Sequence, residues 1–189
     1  KQSDATKFKE VETKLEKIAL QGDAIDNEII KTFALFGQEA KELRFLVAYL
    51  KMTNEIIRIG EGVKKYARRM SEHTNCGCDI EPFKPSILLL HKSSVNALKY
   101  ILECFDKKED CNYEDNYRKV LVEESMNDDL FAVLEKEILS KIIDEKELSI
   151  DYVKILGSLR KLERSCDRSV NIANLMMYAQ QGGEIKLFN

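Results

Sequence analysis

Apolar residues recur every three or four positions along the first third of the chain, from Phe8 through Ile18 and Ile29 to Phe33. Gly37 interrupts this pattern, and a second apolar run with the same spacing extends from Leu43 to Val63. A spacing of three and four residues places the apolar side chains on one face of an α-helix. The pattern therefore predicts two long amphipathic helices in this part of the chain.

The second part of the chain predicts three further helices. Its two prolines, Pro82 and Pro85, mark the one clear break, and the apolar pattern resumes at Ile87 and ends near Asp106. Asn112 is a suitable N-cap for a helix over residues 113–143. Ser149 can cap a last helix that ends near Gly182 and Gly183. Strict two-residue alternation is absent from the sequence, so the prediction is an all-α chain.

Helices of this length bury their apolar faces by packing side by side in bundles. We predict two tandem three-helix bundles of long antiparallel helices, with the first helix of the first bundle missing from this chain. The predicted division is an incomplete first bundle at 1–72, a linker at 73–85 and a second bundle at 86–189. Residues 51–70 and 157–176 also align weakly with one another, which is consistent with a tandem repeat.

Acidic residues occupy positions where the second bundle should be apolar. Glu163, Asp167 and Asn171 lie at successive i, i+4 positions of the last helix, and Glu124 and Asp128 lie on the inward line of the preceding helix. A short connection makes the two helices antiparallel, which brings the two pairs to the same level. Four carboxylates so close together repel one another unless protons, basic side chains or a cation neutralise them.

Two kinds of neutralising group remain open at this point. Arg160, Lys161 and Arg164 are nearby on the same helix, which would leave an ordinary solvated acidic face. The alternative is a divalent or iron metal ion, because carboxylate oxygens suit Mg²⁺, Mn²⁺, Ca²⁺ and carboxylate-bridged iron. A di-iron oxidase of the ferritin type would need Glu-x-x-His on two helices, and the only histidines, His73 and His91, do not fit.

A second metal candidate, the cluster of His73, Cys76 and Cys78, offers only three ligands for zinc and is interpreted as part of an exposed hinge. Cys166 is interpreted as a small core residue. The chain has five cysteines, an odd number without a secretory signal, which favours reduced thiols and a cytoplasmic location.

Composition narrows the class of function. A hydrophobic content of 44%, a charged content of 33% and a net charge of −3 are typical of a globular chain without the basic stripe of a nucleic-acid binder. The sequence contains no apolar run of the roughly 20 residues that span a bilayer. Gly-rich phosphate loops and nucleophile–base pairings are also absent, so the sequence predicts no enzyme.

The stretch LERSCDRSVNIANLMMYAQQG, residues 162–182, resembles the LERIGD-x3-NIAE…Y…G signature of the PhoU family of phosphate-transport regulators. Residues 40–61 resemble the counterpart in the first repeat. The resemblance implies a metal motif at Glu124, Asp128, Glu163 and Asp167, with Asn171 as the associated amide. The corresponding first-half positions hold Leu15, Ala19, Ile57 and Glu61, so that site is expected to be lost.

The resemblance also implies a non-enzymatic cytoplasmic negative regulator. Its expected partners are components of a phosphate ABC importer and a membrane sensor histidine kinase, without nucleic acid, and homodimerisation stays open. Two alternatives remain: a cytoplasmic PhoU-like domain of a sodium–phosphate cotransporter, and a helical interaction module without metal.

Overall fold

Helices account for almost all of the residues described in the computed structural model, which are 2–35, 39–73, 77–107 and 110–183. Among these residues no strand occurs, so the prediction of an all-α fold is confirmed. Short 3₁₀ turns precede the fourth and sixth helices. The six α-helices are α1 (Gln2–Lys14), α2 (Ile18–Leu35), α3 (Ala40–His73), α4 (Lys84–Lys107), α5 (Tyr113–Asp144) and α6 (Ser149–Gln181).

The first predicted helix is divided into α1 and α2 by one tightened turn. Glu16 N–H donates to the Thr13 carbonyl at 3.3 Å, and Ile18 N–H donates to the Leu15 carbonyl at 3.3 Å. These bonds span three residues rather than four, as in a 3₁₀ turn. No glycine or proline marks the break, which is why the apolar spacing gave no sign of it. Both helices pack against α3.

The ends of α5 and α6 test the predicted caps. The Asn112 side chain accepts a hydrogen bond from the Asp115 N–H at 3.1 Å, as predicted for the start of α5. The prediction of a Ser149 cap is wrong: the turn Lys146–Leu148 runs directly into α6, and Leu148 occupies the cap position without a side-chain bond. At the other end, Gly182 has φ 78° and stops α6 where predicted.

α6 lies at the centre of the molecule and packs against α3, α4 and α5. The buried apolar residues around it form two separate clusters. Leu162 belongs to the cluster built from the start of α6, and Cys166 belongs to the cluster built from its second half. The core is therefore interrupted at the level of one turn of α6.

A polar layer, consisting of Ser93, Ser94 and Asn127, fills this interruption between α4 and α5. Asn127 is fully buried, and its side-chain N–H₂ donates to the Ser93 hydroxyl at 2.6 Å, the Ser94 hydroxyl at 3.1 Å and the Leu90 carbonyl at 3.0 Å. Buried polar groups are stable only when they are paired, so this layer favours one register of α5 against α4.

An ion pair connects the two predicted halves of the chain. The Arg168 guanidinium on α6 donates to the Glu55 carboxylate on α3 at 2.8 Å, and Glu55 is buried. The helix α3, assigned to the first bundle, thus packs along α6 of the second. The division at residues 73–85 stays a prediction.

Two cysteine side chains meet at the turn between α4 and α5. The sulfur atoms of Cys104 and Cys111 lie next to one another across this turn, and the expectation of reduced thiols stays a prediction. Cys166 is a buried free thiol.

Candidate metal centre

Three of the predicted acidic side chains converge on the surface between α5 and α6. Glu124, Asp128 and Asp167 each offer a carboxylate oxygen, and these oxygens lie within 4.8 Å of one another. Asp128 is exposed, whereas Glu124 and Asp167 are partly buried. The cluster therefore has one side open to solvent.

The helices bring these residues together for a simple reason. Glu124 and Asp128 are one turn apart on α5, and α5 connects to α6 through only four residues, 145–148. The two helices therefore run antiparallel along one another, and Asp167 reaches the level of the α5 pair. The arrangement predicted from the sequence is present for these three residues.

Glu163 lies one turn before Asp167 on the same helix and is buried, with an exposed fraction of 8%. Its Oε2 atom is 3.3 Å from Nε of Arg160, yet this buried oxygen has no hydrogen-bond partner among the described residues. A buried carboxylate oxygen without a hydrogen bond is costly. Glu163 is not part of the close trio, so its role as a ligand stays a prediction.

Burial and mutual repulsion raise the pKa of all four carboxyl groups. Burial, followed by the neighbouring charge of Asp167, raises the pKa of Glu163 to about 7. Burial and the charge of Asp128 raise the pKa of Asp167 to about 6. The pKa values of Glu124 and Asp128 are also raised, chiefly by burial. Without a counterion, the folded protein thus favours protonated carboxyl groups at this cluster.

Arg160 is the basic residue that faces the cluster. Its charge lowers the pKa values of Glu163, Asp167 and Asp128, although it does not outweigh the burial that raises them. The guanidinium also lies over the Phe131 ring, 4.9 Å from its centroid. Arg164 acts more weakly on Glu163, and Arg168 acts more weakly on Asp167, so the cluster keeps an acidic surplus. An all-oxygen acidic set of this kind fits a hard cation.

Lys161 and Arg164, considered above as counterions, lie elsewhere. Together with Lys65 of α3, they line a basic cleft between α3 and α6. Local sequence patterns do not predict this cleft, because its basic residues come from segments about a hundred positions apart and each segment has the pattern of a solvated helix face.

Asn171 and Cys166 flank the acidic cluster inside the protein. Asn171 is 2% exposed and does not belong to the close trio, so its role at a metal stays a prediction. Cys166 is fully buried in the core, as expected. Burial and the surrounding acids raise the pKa of its thiol, which keeps it neutral and a poor nucleophile.

The zinc candidate is not assembled by the described residues. His73 is buried rather than exposed, and its Nε2 atom lies 3.4 Å from the Ser158 hydroxyl. Cys76 lies outside the described residues. The interpretation of the whole segment as an exposed hinge is therefore wrong at His73.

Apolar packing surrounds one of the four first-half positions. Gly22 of α2 faces the side chain of Ile57 on α3, and Gly60 of α3 faces the side chain of Ile18 on α2. Glu61 lies on α3 near Lys64, with 3.7 Å between carboxylate and ammonium. The loss of a metal site in this half stays a prediction.

The geometry can now be set beside known proteins. The PhoU domain family matches residues 1–70 and again residues 87–176, which together make up most of the chain. The chain belongs to the PhoU family. The resemblance first seen in the signature at 162–182 is thereby confirmed.

Relatives extend this result. The phosphate-specific transport system accessory protein PhoU of Serratia marcescens is 22% identical over 170 residues, which cover 90% of this chain and 68% of that protein. Its namesake from Edwardsiella tarda is 23% identical with the same coverage. The crystal structure of PhoU from Pseudomonas aeruginosa has the same fold, with a TM-score of 0.82, 20% identity, and coverage of 96% of this chain and 85% of that one.

Membrane insertion gets no support from the helices. Within the described ranges, none combines the length and the apolar character that a membrane span requires.

Proposed function

We propose that this PhoU-family chain is a non-enzymatic, cytoplasmic negative regulator of phosphate uptake that carries a cation at the α5–α6 carboxylates. The family membership and the names of the relatives, which are accessory proteins of phosphate-specific transport, support the regulatory role. The observation that carries the metal assignment is the convergence of Glu124, Asp128 and Asp167 within 4.8 Å.

The proposed partners are components of a phosphate ABC importer and a membrane sensor histidine kinase. The regulator transmits the phosphate status of the importer to the kinase and keeps phosphate-starvation genes repressed when phosphate is abundant. A regulator of this kind acts by binding, so it needs no catalytic nucleophile. The only buried thiol in the described core, Cys166, is held neutral.

Glu124, Asp128 and Asp167 would hold the cation, with Glu163 beside them. When bound, a hard cation supplies positive charge that favours the ionised form of these acids and ties α5 to α6. Because Asp128 is exposed, one side of the site is accessible to an oxygen ligand from a partner. The four raised pKa values support this assignment, since neutralisation is what the cluster lacks.

Elemental analysis of the chain purified without chelator tests the metal assignment. We expect a stoichiometric divalent or iron ion in the wild type and its loss in the double variant Glu163→Gln, Asp167→Asn. The matched control is Glu135→Gln, Glu137→Gln, which removes the same charge from α5 away from the cluster and should retain the ion. Equal metal content in all three proteins would reject the site.

Complementation tests the regulatory role separately. In a bacterium lacking its own family member, the chain should restore repression of a phosphate-starvation promoter at high phosphate. Co-purification with the importer and with the kinase identifies the partners. A promoter that stays fully active, with neither partner retained, would contradict the proposed role whether or not metal is bound.

A further inference from the structure

The turn of α6 that supplies the acidic cluster has a second, oppositely charged side. Between α3 and α6 lies a cleft of about 230 Å³. Its basic lining residues are Arg58 and Lys65 from α3, and Lys161, Arg164 and Arg168 from α6. No sequence pattern indicated this cleft, and the metal site does not use it.

Most of this basic charge lacks an acidic partner. Arg168 is paired with Glu55 at 2.8 Å. Across the described residues, Arg58, Lys65, Lys161 and Arg164 have no carboxylate within ion-pair distance. The one acid in the lining, Glu61, lies 3.7 Å from Lys64. The cleft therefore holds a clear surplus of positive charge.

The cations are close enough to repel one another. Lys161 is partly buried, and it lines the same cleft as Lys65 and Arg164. Like charges gathered in a concave, partly desolvated place are tolerated when an anion neutralises them. Guanidinium and ammonium groups are the usual ligands of phosphate oxygens.

The backbone geometry keeps the cleft open. Gly62 of α3 faces α6 at this level, and a Cβ atom placed there would lie 3.6 Å from the Ser165 hydroxyl and 3.9 Å from the Lys161 carbonyl. The absent side chain leaves room between the two walls. Ser165 Oγ, which donates to the Lys161 carbonyl at 2.7 Å, adds a hydroxyl to the lining.

From the unpaired cations and the open cleft that they line, we infer that the α3–α6 cleft binds a phosphate dianion, either free or as the terminal group of a small phosphate ester. Glu61 makes the site selective. Monohydrogen phosphate keeps one proton that a carboxylate can accept, whereas sulfate has none at neutral pH and is repelled by that acid. The inference depends on the cleft alone and stands whether or not the chain regulates transport.

Calorimetric titration of the whole chain tests this site. Chelator is kept present, so that phosphate cannot bind through a metal at the acidic cluster, and ionic strength is held constant because salt screens these charges. We expect saturable binding of inorganic phosphate or of AMP, and the tighter of the two identifies the source. Sulfate should bind at least about tenfold more weakly at neutral pH.

Two double variants remove positive charge from opposite walls of the cleft. Lys161→Gln, Arg164→Gln on α6 and Arg58→Gln, Lys65→Gln on α3 should each weaken phosphate binding about tenfold or more. Either pair suffices if the other fails to fold, as judged by helical circular dichroism. Lys136→Gln on the exposed side of α5 is the charge control and should bind like wild type.

Glu61→Gln should bring sulfate binding close to that of phosphate. The inference is overturned if neither phosphate nor AMP binds, if binding survives in a folded cleft variant, or if sulfate binds the wild type as tightly as phosphate.

Discussion

One segment of α6, residues 160–168, presents opposite charges to its two neighbours. Towards α5 it carries Glu163, which lies near Arg160, and Asp167, which joins two further acids across the interface. Towards α3 it carries Lys161, Arg164 and Arg168, of which only Arg168 has an acidic partner. Neither face is neutralised by the chain itself.

The difference shows how a fold can tolerate charge in its middle. At the end of the basic face, an ion pair within the protein neutralises the positive charge, so this part of the face needs no ligand. On the acidic face the pKa values rise instead, which indicates that protons take up the missing charge until a cation arrives. We therefore expect ligands where a charge surplus lies next to open space and none where the charges balance.

The largest expected effect comes from removing the cation on the acidic face. With metal at a hundred times its Kd, binding stabilises the folded protein by about 2.7 kcal/mol, and chelation removes this amount. Thermal or urea unfolding with and without metal measures the change. In Glu163→Gln, Asp167→Asn the two curves should coincide, and a metal-dependent shift of wild-type size in that variant would argue against the site.

Breaking the internal ion pair of the basic face should lower the free energy of unfolding somewhat less than removing the cation does. Glu55→Ala leaves the Arg168 guanidinium without its partner and is expected to lower the free energy of unfolding by about 2 kcal/mol. The control is Glu28→Ala, which breaks an exposed pair with Lys31 and should cost no more than about 0.5 kcal/mol. Equal costs in urea unfolding would show that burial of the pair is unimportant.

The pH dependence of the metal-free protein sharpens the contrast further. Raised pKa values mean that the folded state holds protons that the unfolded state has released, so stability falls as pH rises from about 4 to about 7. We expect a loss of about 1–2 kcal/mol after solvent screening. Unfolding in chelator across this range measures it.

Bound metal opposes the loss of stability with rising pH. Its ligands must be deprotonated, so metal affinity rises over the same pH window. The variant Glu163→Gln, Asp167→Asn should show a flatter profile in chelator. Metal-free wild-type protein that gains stability over this window would contradict the assigned pKa directions.

The smallest effect is expected at the glycines of α3. Gly62→Ala should stabilise the protein by up to about 1 kcal/mol, because alanine favours a helix and the new Cβ has ordinary contact distances there. In Gly60→Ala the Cβ would overlap Cδ1 of Ile18, so packing strain should offset that gain. Thermal unfolding of both variants measures the difference in stability. Equal stabilisation would show that the Ile18 side chain moves aside without a cost in free energy.

Much of α5 and α6 was predictable because the signals there are local. The Asn112 cap, the acids at i and i+4, and the glycine that ends α6 each act within a turn of the residues they affect. A short loop then fixes the partner of each acid, since it makes the helices antiparallel. Three of the five proposed site residues come together for this reason.

The remainder depends on contacts that local patterns do not encode. The tightened turn after Lys14 has no breaking residue, and the Ser149 cap is lost because Lys146–Leu148 already turn into the helix. The basic cleft is formed by residues of α3 and α6 that are far apart in sequence. The sequence alone does not distinguish Arg160, Lys161 and Arg164. Their angular position around α6 decides which of them meets the acids.

The polar layer at Asn127 has a consequence for how the molecule opens. The polar layer of Ser93, Ser94 and Asn127 separates the two apolar clusters. The helices α4, α5 and α6 are therefore each packed at two places, with the polar layer between them. Opening the molecule at this layer would expose hydroxyl and amide groups rather than apolar side chains. Apart from the fraying helix ends, amide exchange should therefore be faster at this layer than within the two apolar clusters.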